Sequence, residues 1–194
     1  MTPKEYAAQN ALGFEGDTFL GATIQEIVTR RGINTIIETG TYLGNTTVKF
    51  AEMVPQVATI EASQQYFKEA FKKFDMIDNV HLIFGDSAKM LPHVITHYSG
   101  SNFLFFLDAH WNDSCPLLDE LRIIKEAGIK PVIVIHDFQV PGRPDLGFDS
   151  YNGQDFTCDW IAESILAIYG ENHELYFNDE ATGAKRGVIF IEPK

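Results

Sequence analysis

The 194-residue chain is expected to fold as one α/β domain, residues 1–194: a seven-stranded, Rossmann-like, doubly wound sheet with five parallel strands and a C-terminal antiparallel hairpin. Three observations predict this. Five apolar runs alternate with helix-like segments. The runs are nearly continuous, the pattern of parallel strands covered on both faces. Only a short turn separates the last two strand-like runs.

The predicted strands are Thr35–Thr39, Val57–Glu61, Val80–Phe84, Phe103–Asp108 and Val132–Asp137, then Glu174–Asn178 and Gly187–Glu192. Helical segments fill the gaps: Gly16–Arg31 with Gly32 as C-cap, Thr46–Met53, Gln64–Phe74, Ser87–His97, Cys115–Ala127 and Asp155–Tyr169. Strand–helix alternation implies right-handed crossovers. The stretch Asp179–Arg186 is too short for a helical crossover, so the last two strands pair as a hairpin at one edge. Phe138–Gln154 is a long connection of the kind that often forms a lid.

Composition narrows the partner classes. Formal net charge is −12, and the basic pairs Arg30-Arg31, Lys72-Lys73 and Lys185-Arg186 are scattered. A phosphate backbone needs clustered cations, so a small molecule is expected and a nucleic acid is not. The longest apolar runs fall far short of the ~20 residues that cross a bilayer, so no membrane partner is expected. Met1–Glu5 lacks the layout of a signal peptide, and Cys115 and Cys158 read as free thiols. The cytoplasm is the expected compartment.

In an open α/β sheet the ligand lies beyond the carboxyl ends of the strands, near the first strand. There the chain reads Glu38-Thr39-Gly40-Thr41-Tyr42-Leu43-Gly44. Gly40 permits a sharp turn and Gly44 a close approach to a ligand. Glu61, 21 residues after Gly40, is spaced to accept hydrogen bonds from ribose hydroxyls. Pyrophosphate binding prefers G-x-G-x-x-G, which this loop lacks, and the charge of Glu38 disfavours phosphate. S-adenosylmethionine (SAM) carries an ammonium and a sulfonium and no phosphate, which suits a carboxylate.

The segment Thr35–Thr47 resembles motif I of class I SAM-dependent methyltransferases, in the E-x-G-T-x-x-G-x-[ST] form of small-molecule O-methyltransferases of the catechol and caffeoyl-CoA type. The resemblance extends through Thr59–Ala62, Asn79–Ser87 and Phe106–His110. It implies that Glu38, Gly40, Thr41 and Gly44 line the methionine end of SAM, that Glu61 holds the ribose, and that Ala62 lies near the adenine. Asp86 would meet the adenine amino group with Ser87 beside it; an N-cap for the following helix is the plain structural role of Asp86.

Acceptor chemistry is expected at Asp108-Ala109-His110-Trp111 and His136-Asp137-Phe138, the ends of adjacent strands. Methyl transfer to oxygen needs a deprotonated or nearly deprotonated hydroxyl. His110 is the candidate base, with Asp108 and Asp137 as polar partners or as ligands of Mg2+ or a similar ion. In the resembling family the ion is held by an Asp after the fourth strand and an Asp-Asn pair after the fifth. Asp108 and Asp137 match the aspartates, but Phe138 stands where the Asn would be, and Trp111 where that family has a Lys base. Trp111, His136, Phe148 and Tyr151 are the candidate acceptor contacts, Asp145 and Asp149 lie in the same loop, and Lys4–Phe14 is a second candidate cover. Methylation of nitrogen or carbon, NAD-linked oxidoreduction, and a non-catalytic SAM sensor are the alternatives.

Overall fold

The computed structural model describes residues 12–110 and 115–194. Trp111 and all but the end of Lys4–Phe14 therefore lie outside the described residues. The sheet has seven strands: β1 Thr35–Thr39, β2 Gln56–Glu61, β3 Val80–Phe84, β4 Phe103–Leu107, β5 Val132–His136, then β8 His173–Phe177 and β9 Val188–Pro193. Their order is β3-β2-β1-β4-β5-β9-β8, and the first five pair in parallel register. β9 runs antiparallel between β5 and β8, so the last strand of the chain enters the sheet inside its predecessor. The Rossmann-like architecture and the terminal antiparallel pairing are as the sequence predicts.

Strand parity divides the core in two, because successive side chains point to opposite faces. Ile37, Phe105, Ile133 and Ile189 pack on one face, while Ile36, Leu104, Val134 and Val188 pack on the other. The first face is covered by α4 (Ser87–His97), α5 (Leu117–Glu126) and α6 (Cys158–Tyr169). Helices α1 (Thr18–Arg31) and α2 (Asn45–Met53) cover the second through Leu20, Ile24, Ile27, Val28 and Phe50. α3 (Gln64–Lys73) joins β2 to β3. Each residue buried from water on these faces contributes on the order of 1.5–3 kcal/mol if it is a large aliphatic or Phe.

Local chemistry sets the helix ends. Asp17 Oδ1 accepts from the amides of Phe19 and Leu20, so α1 starts at Thr18 and not at Gly16. Gly32 closes α1 in the left-handed conformation, as expected. Thr157 caps α6 at Cys158, later than predicted, because Gln154–Asp155 is used by a small hairpin.

β3 departs from the expectation of burial on both faces. It is an edge strand, and Phe84 is 51% exposed. An apolar run records strand character but not whether a neighbour covers it.

The long connection is ordered by a second small sheet, β6 (Ser150–Tyr151) and β7 (Gln154–Asp155). Asn152 and Gly153 form its turn with φ of 52° and 78°, the left-handed pair that a two-residue type I′ hairpin requires. That Asn-Gly pair is a hairpin signal absent from the sequence expectations.

Candidate active site

The loop after β1 lies with its backbone close against that of the acceptor motif. Gly40 has φ of 85°, and a β-carbon there would lie 2.4 Å from the carbonyl oxygen of Asp108. Only glycine satisfies both the turn and this approach. The amide of Gly40 donates to the carbonyl of Ile60, tying the loop to β2.

Glu38 is buried beneath this loop. Its Oε2 accepts from the hydroxyls of Thr47 and Thr59, each at 2.5 Å, and the Thr41 hydroxyl lies 2.6 Å from that of Thr59. Burial pushes the Glu38 carboxyl up to about 8 against the two hydroxyl donors. Glu38 nonetheless borders the same pocket as Glu15, Gly40, Thr41, Gly44 and Asp108. Glu61 braces the loop: Oε2 accepts from the amide of Tyr42 and Oε1 from that of Ser63, both at 2.7 Å. Burial raises the Glu61 carboxyl, and these amides oppose the rise.

On the adenine side expected from the resemblance, Ala62 is exposed and Ser87 is buried beside Glu120. Asp86 occupies the N-cap position of α4 but makes no side-chain capping bond. Its carboxylate is exposed, 3.9 Å from Lys89 Nζ.

The ends of β4 and β5 bring the predicted acceptor residues together. His110 Nε2 lies 3.1 Å from Asp108 Oδ1 and 3.0 Å from Asp137 Oδ2, while Nδ1 faces Tyr151 Oη at 2.9 Å and Asp149 Oδ2 at 3.1 Å. Ligand atoms of Asp108, His110 and Asp137 all lie within 4.8 Å of one another. Arg186 reaches in from the turn before β9, its Nε on Asp137 Oδ1 and a terminal nitrogen on Asp149 Oδ1. Asp137 adopts φ of 57°, a conformation that Asp tolerates better than most residues.

His136 is 4% exposed and sits behind this group, 3.4 Å from Asp108 Oδ1 and 3.3 Å from Asp137 Oδ1. Those contacts are ion-pair distances without hydrogen-bond geometry, so its Nδ1 is left unsatisfied. Burial alone would lower His136, but the charges of Asp108 and Asp137 outweigh it and raise the ring well above the ordinary imidazole range. His110 is likewise pushed well up, burial being outweighed by the hydrogen bonds that its ring donates to Asp108, Asp137 and Asp149. Burial opposes ionisation of Asp108 and Asp137, yet His136 and His110 keep both below the usual carboxylate range.

Of the loop residues, Tyr151 and Asp149 reach the site, Phe148 is half-buried, and Asp145 pairs with Arg143 on the surface. Sequence reasoning missed Arg186 and Glu15. Arg186 lies 49 residues from Asp137, and no local spacing signals the pairing.

The fold is similar to that of solved O-methyltransferases. An O-methyltransferase from Bacillus cereus in complex with SAH covers 98% of this chain and 88% of its own, with a TM-score of 0.65 and 20% identity. The O-methyltransferase TomG from Streptomyces achromogenes, in complex with SAM, covers 100% and 91%, with a TM-score of 0.68 and 16% identity.

By sequence the chain is similar to catechol O-methyltransferase B of Danio rerio, 27% identical over 135 residues, 64% of this chain and 50% of the relative. Catechol O-methyltransferase of Mus musculus is 26% identical over 133 residues, 63% of this chain and 49% of the relative. The chain thus spans about half the length of the curated relatives it matches. No protein-family model matches it. Among the described residues no helix is long and apolar enough to cross a membrane.

Proposed function

We propose that the chain transfers the methyl group of SAM to a hydroxyl oxygen of a small molecule. The observation that carries this reading is the convergence of Asp108, His110, Asp137 and Asp149 directly beside the Gly40 loop. Donor loop and acceptor residues share one backbone contact, which suits an in-line displacement in which the O–CH3 bond forms as the S–CH3 bond breaks. Glu38, Gly40, Thr41 and Gly44 would hold the methionine end, Glu61 the ribose, and Ala62, Asp86 and Ser87 the adenine. Net charge −12 and the catechol-type relatives favour a small acceptor over a nucleic acid. Free Cys115 and Cys158 favour the cytoplasm.

A divalent ion fits the acceptor side. Two carboxylates and His110 Nε2 converge, and the other ring nitrogen of His110 faces Asp149, an arrangement that fixes the tautomer of a ligating histidine. The third ligand is then His110, since Phe138 is buried and offers no donor atom. This mixed oxygen and nitrogen set suits Mn2+, Fe2+ or Zn2+ better than Mg2+. Such an ion would act as a Lewis acid that lowers the pKa of the acceptor hydroxyl. Asp149 and Arg186 would keep His110 and Asp137 in place, and Tyr151 would border the acceptor. Because His110 Nε2 points at the same volume as Asp108 and Asp137, we assign it the ligand role ahead of the base role.

Calorimetry tests the donor assignment: SAH should bind and NADH should not. Binding of NADH with no binding of SAH would overturn it.

A further inference from the structure

Gly13, Phe14, Glu15 and Gly16 all have left-handed φ, at 72°, 48°, 51° and 80°. Two consecutive non-glycine residues in this region are uncommon, because the β-carbon crowds the following carbonyl. Such strain persists only where the surroundings over-determine it. Here they do. The Phe14 amide donates to Thr46 Oγ1 at 2.9 Å, and its ring packs edge-on to Phe50 at 5.4 Å and Phe106 at 6.3 Å. From the other side, the Ala184 amide donates to the Glu15 carbonyl at 3.2 Å. A β-carbon at Gly183 would lie 2.4 Å from that same carbonyl oxygen, so the turn before β9 is pressed against the strained backbone.

The result is that Glu15 borders the pocket shared by Glu38, Gly40, Thr41 and Asp108. Glu38 is occupied by Thr47 and Thr59, and Glu61 by the amides of Tyr42 and Ser63. Glu15 is half-buried and, among the described residues, its carboxylate makes no hydrogen bond or ion pair. The strained turn thus seats Phe14 in the core and leaves the Glu15 carboxyl at the donor pocket, where burial raises it and the charge of His136 opposes that rise.

We infer that Glu15 makes the pocket select the positively charged sulfonium donor over its neutral thioether product. The thioether left after transfer lacks one methyl group and the positive charge of the sulfonium, and a carboxylate responds to the charge. A carboxylate fixed across the pocket attracts the first and not the second. Loss of the methyl group then removes an attraction and favours product release. This inference rests on the methyltransferase reading above.

The test is calorimetry with SAM and with SAH on wild type, Glu15→Gln and Glu15→Asn. Asn tolerates left-handed φ better than other non-glycine residues, so the second variant guards against misfolding. Both neutral variants should bind SAM about tenfold more weakly, the order expected for one partly solvated charge pair, while SAH affinity changes by less than about twofold. An unchanged SAM-to-SAH affinity ratio in either folded variant overturns the inference and leaves the methyltransferase reading standing. Failure of the wild type to bind either ligand overturns both.

Discussion

A β-carbon at Gly40 would lie 2.4 Å from the carbonyl oxygen of Asp108, so the donor loop touches the first acceptor residue through bare backbone. Placement of one set of groups therefore constrains the other. Gly40→Ala should destabilise the protein by roughly 1–3 kcal/mol, from left-handed strain and overpacking together. Thermal denaturation checks this. SAH affinity should fall as well, because Asp108 or the loop must shift. A variant with wild-type stability and SAH affinity would show that the approach is not needed.

Buried Glu38 gives the ligand-free protein a pH signature. Its folded pKa of about 8 lies above the ordinary 4.5, so the folded state binds the extra proton. The sign follows: the contribution is fully present below about 4.5 and is lost as pH rises through about 8. Glu120, raised by burial to about 7, acts in the same direction. Melting temperature should therefore fall between pH 5 and pH 8, and Glu38→Gln should flatten the slope. A flat profile in the wild type would contradict an environment that keeps these carboxyls protonated.

Removal of the Glu61 carboxylate takes away the acceptor for the Tyr42 and Ser63 amides. Glu61→Ala should weaken SAH binding by about 1–3 kcal/mol, through the ribose contact and through the loosened loop. Unchanged affinity would remove Glu61 from the donor site.

Mn2+ or Zn2+ should bind the wild type and release protons on binding, since His110 must give up its proton to become a ligand. Asp137→Asn should keep the fold, because Asn accepts φ of 57°, and should lose the ion. Calorimetry in buffers of different ionisation enthalpy measures both effects. Equal ion binding by the variant would exclude Asp137 as a ligand.

Tyr151→Phe removes hydroxyl contacts to His110 and Asp149 without touching the donor loop. Turnover should fall by about tenfold, with SAH affinity unchanged. Equal losses in both would mean that Tyr151 acts on the fold instead.

Legibility in the sequence followed locality. The five parallel strands and the Gly40 loop lie in contiguous residues whose spacing states their conformation, as do Asp108, His110 and Asp137 at strand ends. What was not legible comes from distant segments. Arg186 meets Asp137 across 49 residues, and only the placement of β9 between β5 and β8 brings it there. Glu15 reaches the pocket through a strained turn pinned by Thr46 and Ala184, which no helix or strand periodicity encodes. The exposure of Phe84 was hidden for a related reason: its apolarity matches that of a central strand, while sheet order makes it an edge. The Asn152-Gly153 hairpin was local and readable, and it is what carries Tyr151 to His110.

The most direct test of the central claim is transfer of a labelled methyl group from SAM to a panel of hydroxyl-bearing small molecules, with Mn2+ supplied and then with EDTA. Label is expected on an acceptor oxygen, and is expected to be lost with EDTA and with Asp137→Asn. A folded wild type that binds SAH yet labels no hydroxyl acceptor with the metal present would contradict it.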